Sequence, residues 1–204
     1  MSKFEPMLYL KQGLILIFLL SMIGLSCKNK LQEKDENEPL SGPGYFSINQ
    51  YIQDHWSTYE GQPFSIDYVK RKDGHSDTTH TNAYEVNWGK IIQTFVQTDI
   101  GDLKYVGHYN FENFVDSPTS TCVFIYTAIE STLKTRKLMI TTDMFSSKIL
   151  NLFIEWQDEG NMKSVYKKLF YSPIHLINIT TDIRKAIGKD ESINESYIFL
   201  VGIK

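Results

Sequence analysis

Beyond Gly101 the chain is written almost wholly in period two. Tyr105, Gly107, Tyr109 and Phe111 alternate with polar neighbours, and Val165 to Ser172 repeats the pattern. Leu150, Leu152, Ile154 and Trp156 share one side of a third such segment. Successive side chains of a strand point to opposite faces, so this alternation predicts strands with one buried face. Thr121 to Glu130 is apolar on both faces, which predicts a strand central in its sheet. Leu138 to Thr142, Ile149 to Gln157, Ile174 to Thr181 and Tyr197 to Ile203 complete the set, and Asp182 to Glu195 is expected to hold one helical turn around Ile183 to Ile187. The connections are short and turn-like, at Pro118-Thr-Ser120, Asp143 to Lys148 and Asp158-Glu-Gly-Asn161. Strands joined in this way pair in sequence as an antiparallel meander.

Two helices are expected ahead of the meander. Ser47 and Gln50 form a capping box, and Phe46 is placed as a hydrophobic staple. Ile48, Tyr51, Ile52, Trp56 and Tyr59 then mark one helical face, with His55 on the same stripe as a packed neutral imidazole, and Gly61-Gln-Pro63 ends the helix. Phe64 to Arg71 alternates as a strand, Asp73-Gly74 is a hairpin signal, and Ser76 to Thr81 is a weaker return strand. The second helix has its apolar stripe at Trp88, Ile91, Ile92 and Phe95. Its cap is Asn82, with Glu85 in the box position, or Asn87, and Gly101 is its expected stop. The fold class is therefore α+β: an antiparallel meander of about 5–7 strands with both helices on one face. The order helix, hairpin, helix, meander also resembles the cone-shaped folds of the nuclear transport factor 2-like class. That likeness is of element order alone.

The beginning of the chain carries a different signal. Gly13 to Leu25 is apolar, follows a leader with Lys3 and Lys11, and runs into Ser26 and Cys27. It is too short for a hydrocarbon core that needs ~20 helical residues, and the layout is that of an export signal. Here the chain resembles the lipoprotein precursors of gram-negative bacteria, over roughly its first 40 residues. The resemblance implies cleavage before Cys27 and acylation of that residue, hence attachment to the outer membrane, on its periplasmic or exterior face. Several acyl chains, at ~0.8 kcal/mol per buried CH₂, make a firm anchor. Gly24 stands where that family usually has Leu, and small residues at Gly24 and Ser26 also suit the ordinary signal peptidase, which leaves no lipid. The strings Asn82 to Glu85 and Leu169 to Pro173 further resemble strings of lipoproteins without an assigned activity.

These signals divide the chain into a signal peptide 1–26, a flexible acidic tether 27–44 and one domain 45–204. The tether, Lys28 to Gly44, is nearly all charged, polar, Gly or Pro and cannot bury enough surface to offset its chain entropy. Losing the signal removes Lys3, Lys11 and Glu5, which moves the formal charge from −3 to −4. A mildly acidic domain without a basic block argues against nucleic acid as a partner, and none is expected. The aromatic share of 13% suits strands and could line a ligand groove.

Chemistry-bearing motifs are few. No P-loop, G-x-S-x-G elbow, H-E-x-x-H or C-x-x-C is present. Asp73-Gly-His75-Ser-Asp77-Thr-Thr-His80 gathers residue types that zinc accepts, so His75 and His80 are weak metal candidates in a spacing that belongs to no known site. No metal or other cofactor is expected. Glu155 reads as a solvated or cross-strand-paired carboxylate, Asp99 and Asp102 as turn residues, and Arg136-Lys137 and Lys167-Lys168 as surface charge. Cys122 reads as a free thiol packed as a small hydrophobe; a bridge to Cys27 would exclude lipidation. No catalytic residue can be assigned. The expected function is a non-enzymatic envelope domain that binds a protein, a glycan or an apolar ligand. The alternative is a hydrolase or isomerase with a cone-type pocket that uses His55, His108 or Glu155.

Overall fold

The computed structural model describes residues 44–59 and 61–201. Cys27, the signal segment 1–26 and the tether up to residue 43 lie outside the described residues.

Helix α1 (Ile48–Tyr59) starts where the capping pattern places it. The Ser47 hydroxyl accepts the Gln50 N–H at 3.2 Å and donates to Asp99 Oδ2 at 3.1 Å. Asp99 Oδ1 accepts the Ile48 N–H at 2.8 Å and the Gly101 N–H at 3.1 Å. The first N–H groups of a helix have no partner within it, and a carboxylate distant in sequence supplies one here. The two backbones come so close that a Cβ on Gly101 would stand 2.6 Å from the Ser47 Cβ. Gly101 therefore serves this crossing and not a helix end.

Strands β1 (Ser65–Lys72) and β2 (His75–Asn82) form a hairpin. Its central residues Asp73 and Gly74 have φ of 52° and 82°, the two positive values a type I′ turn requires. Helix α2 (Trp88–Val96) is capped by Asn87, whose side chain accepts the Lys90 N–H at 3.2 Å. Asn82 instead donates to Glu85 at 2.8 Å in the turn before it. A 3-10 turn at Leu103–Tyr105 and Gly107, at φ 86°, delay the next strand, so β3 (Tyr109–Asp116) begins later than the alternation from Tyr105 predicts. Strands β4 (Thr121–Ala128), β5 (Thr135–Asp143), β6 (Ile149–Asp158), β7 (Lys163–Ser172), β8 (Leu176–Lys185) and β9 (Glu191–Phe199) follow.

The nine strands of the described residues form one antiparallel sheet in the order β2-β1-β9-β8-β7-β6-β5-β4-β3. The α+β class and the meander are as expected; the strand count exceeds the expected five to seven because two further strands join the meander. The β1–β2 hairpin joins the meander, because β1 pairs with β9 from Ile66↔Phe199 to Lys72↔Ile193. The stretch around Ile183, where a helical turn is expected, continues β8 instead. Ile183 lies opposite Val165 and Glu191 within the sheet, and Ile187 is 82% exposed, so the two form no common apolar face.

Both helices pack on one face of the sheet. Trp56 meets Trp88 at 4.2 Å between ring centroids, Trp88 stacks on Phe199 at 5.9 Å, and Phe95 meets Tyr171 edge-on at 5.9 Å. Ile66, Leu138, Ile140, Leu152, Ile154 and Leu169 are fully buried beneath them. Each such side chain stabilises the fold by about 1.5–3 kcal/mol relative to exposure. Among the described residues no helix is long and apolar enough to cross a membrane.

Candidate functional site

The opposite face of the sheet carries no helix among the described residues, and the register fixes what it displays. Ile125, Met139, Phe153 and Phe170 are each offset by one from buried core residues, so they point away from the helices. Cross-strand pairing places them side by side: Ile125↔Met139, Met139↔Phe153 and Phe153↔Phe170. All four are half-buried, forming an apolar row across four strands. Phe114, 52% exposed and opposite Val123, extends it toward the β3 edge.

A charged row runs beside the apolar one. Lys137↔Glu155 and Glu155↔Lys168 are register partners, so Glu155 stands between two lysines of opposite charge on adjacent strands. Opposite charges facing each other across strands favour the sheet. Farther along, on β8 and β9, the amides of Asn178 and Asn194 bond each other and reach Ser196 Oγ and Thr180 Oγ1, each at 2.7 Å.

The individually predicted residues fall in separate places. His75 and His80 are five residues apart on β2 and so project from opposite faces. His75 Nδ1 lies 3.3 Å from the Asp73 carbonyl, and His80 Nδ1 lies 2.9 Å from Asp67 Oδ1. Among the described residues no three His, Cys, Asp or Glu side chains gather as metal ligands. His55 stacks on Tyr51 with centroids 5.3 Å apart, and its Nδ1 lies 2.7 Å from the Tyr171 hydroxyl. Burial, helped by the Lys148 charge, holds its pKa below the usual imidazole value, as a packed neutral ring requires. His108 pairs with Glu130 at 2.9 Å at the start of β3, and Glu155 is on the helix-free face. The three groups named for catalysis thus do not converge.

The helix side offers little room. A crevice lined by Ile52, Trp56, Trp88, Ile91, Ile92, Phe95, Tyr171 and Ile177 encloses about 10 Å³, the space of roughly one water. No carboxylate, imidazole or amine lines it. Lys167 departs from the surface role expected of it. It shares a face with Trp156, its Nζ lies 4.9 Å from the indole centroid, and burial holds its ammonium below the usual lysine range. Cys122 is a half-buried free thiol on β4, opposite Val115 and Thr142.

Sequence reasoning misses the apolar row, because its members lie on four separate strands and become neighbours only through pairing. The available signal is the second apolar phase of β4 to β7, where residues between core positions are also apolar. No family model matches this chain, and neither a curated protein nor a solved structure matches it. The likeness in element order to cone-shaped folds therefore has no matching structure behind it.

Proposed function

We propose that this chain is a cell-envelope lipoprotein, held at the outer membrane through Cys27, whose domain binds a protein partner on the helix-free face of its sheet. The observation that carries the binding assignment is the row Ile125–Met139–Phe153–Phe170, flanked by Lys137–Glu155–Lys168. Covering partly exposed apolar side chains is favourable by roughly 25 cal/mol per Å², and the adjoining charges would select the partner and its orientation. A protein surface suits this row better than an apolar small molecule, because the crevice between the helices holds about 10 Å³. A binding role also accords with the separation of His55, His108 and Glu155. The anchor assignment rests on the apolar run ending at Ser26-Cys27 and the charged leash behind it.

The test uses the full chain expressed in a gram-negative host. Mass spectrometry is expected to find acyl chains on Cys27, and an unmodified thiol there would remove the anchor. Capture from detergent-solubilised envelopes compares the native chain with Met139→Ser/Phe153→Ser, circular dichroism serving to show that the fold is kept. Envelope proteins retained by the native chain and lost by the variant are the expected result. Equal retention by both would dismiss the sheet face as the binding surface.

A further inference from the structure

The two edges of the sheet are unlike each other. Strand β2 is wholly polar, His75-Ser-Asp-Thr-Thr-His-Thr-Asn82. Strand β3 reads Tyr109-Asn-Phe-Glu-Asn-Phe-Val-Asp116 and exposes Phe111 at 48%, Phe114 at 52% and Val115 at 56%. Edge strands are ordinarily guarded by charged side chains, Pro or a bulge. β3 has neither Pro nor bulge and pairs with β4 over eight consecutive positions without a register shift, and its charges are Glu112 and Asp116 alone.

The phase of that pairing decides which backbone groups face outward. Ile129 N–H donates to the His108 carbonyl at 3.0 Å, on the same register as Tyr109↔Ala128. In an antiparallel ladder only alternate residues bond a given neighbour. The even residues of β3 therefore bond β4, and Tyr109, Phe111, Asn113 and Val115 turn their N–H and C=O to the open side. At Tyr109 those groups are already met: the Tyr45 hydroxyl donates to the Tyr109 carbonyl at 3.1 Å and accepts the Tyr109 N–H at 3.3 Å. At the other end the Ser117 carbonyl accepts the Ser120 N–H in the β3–β4 turn. What stays open at both N–H and C=O, among the described residues, is the backbone of Phe111, Asn113 and Val115, a segment centred on Asn113.

We infer that β3 pairs with β3 of a second copy of this chain, antiparallel about a two-fold axis at Asn113. In that register Asn113 faces its own counterpart, Phe111 faces Val115, Glu112 faces Phe114 and Asn110 faces Asp116. Every outward group of the open segment finds a partner, the apolar side chains meet, and no two carboxylates oppose each other. Sliding by one step in either direction sets Glu112 against Glu112, or Glu112 against Asp116, and like charges directly opposite are destabilising. The charges thus disfavour both neighbouring registers, a slide of two steps leaves one end of the open segment unpaired, and the remaining register has the self-complementarity that a two-fold interface demands. The sheet then runs without a break through both protomers.

Single cysteines read this register directly. The full chain carries Cys122→Ser to remove the described free thiol, plus Asn113→Cys, Glu112→Cys or Phe114→Cys one at a time, under mild oxidation. Asn113→Cys is expected to give disulfide-linked dimer well above the parent background. Glu112→Cys and Phe114→Cys are expected to give at least ten times less, because their counterparts lie one step off the axis. Val115→Pro removes an outward N–H that β4 does not use, so the fold should survive and the dimer seen by sedimentation should become monomer. Preferential linkage at Glu112 or Phe114, linkage of Asn113→Cys to a different protein, or a native chain that stays monomeric at every concentration would each overturn the inference.

Discussion

Asp99 is the residue on which two chain segments depend. Its carboxylate takes the Ile48 N–H, the Gly101 N–H and the Ser47 hydroxyl, fastening the start of α1 to the turn that leads from α2 toward β3. Asp99→Ala leaves two N–H donors in a half-buried place without an acceptor, and the expected loss is about 1–3 kcal/mol of stability. Ser47→Ala keeps the bond from Ile48 to Asp99 and should cost about 1 kcal/mol or less. Urea midpoints with unchanged slopes would establish that order. Equal losses would mean that Ser47 alone caps α1. The Ser47-x-x-Gln50 half of this arrangement is legible in the sequence because capping is local. Asp99 is not, because its role depends on a backbone approach that no spacing announces.

Helix α2 shows how one element is held. Trp88 sits at its first position and reaches Trp56 on α1 and Phe199 on β9, while its indole N–H donates to the Ala83 carbonyl at 2.6 Å. Trp88→Ala removes contacts with both layers and leaves that carbonyl unmet, so a loss of about 3 kcal/mol is expected, again read from the urea midpoint. A change under roughly 1 kcal/mol would show that α2 docks through Ile91 and Phe95 alone. The apolar stripe of α2 is visible in sequence, as is the period-two run of β6 and β7. Strand β2 is nearly invisible, because an edge strand with only polar residues shows no alternation; its turn, Asp73-Gly74, betrays it instead. Ile183 and Ile187 mislead for the opposite reason, since two apolar residues at helical spacing belong here to a strand and to its exposed turn.

At the scale of the molecule the closing contact is β1 against β9, which carries the N-terminal hairpin into the meander. That pairing joins strands far apart in sequence, so the patterns of either strand predict it only as one arrangement among several. Its core face sets Tyr68 against Tyr197, ring centroids 4.9 Å apart, and toward the opposite edge of the sheet Tyr109 and Tyr126 occupy the same face. Burial raises the pKa of all four phenols, that of Tyr197 from the usual 10.0 to about 12. Tyr68 also donates to Glu195 at 2.7 Å and Tyr109 to the Thr135 carbonyl at 2.9 Å, bonds that a phenolate cannot make. Between pH 10 and about 12 the unfolded chain gives up phenolic protons that the folded chain keeps. The folded state then binds more protons, so stability falls as pH rises. The contribution is present in full below the ordinary tyrosine pKa and diminishes above it. Unfolding by urea at stepwise alkaline pH should therefore give a midpoint that holds to about pH 10 and drops beyond it, with the drop shallower in Tyr197→Phe. Ultraviolet absorbance of phenolate should show a late-titrating group in the folded protein that merges with the rest once urea unfolds it. Simultaneous ionisation of every tyrosine in the folded chain would mean that water reaches these rings.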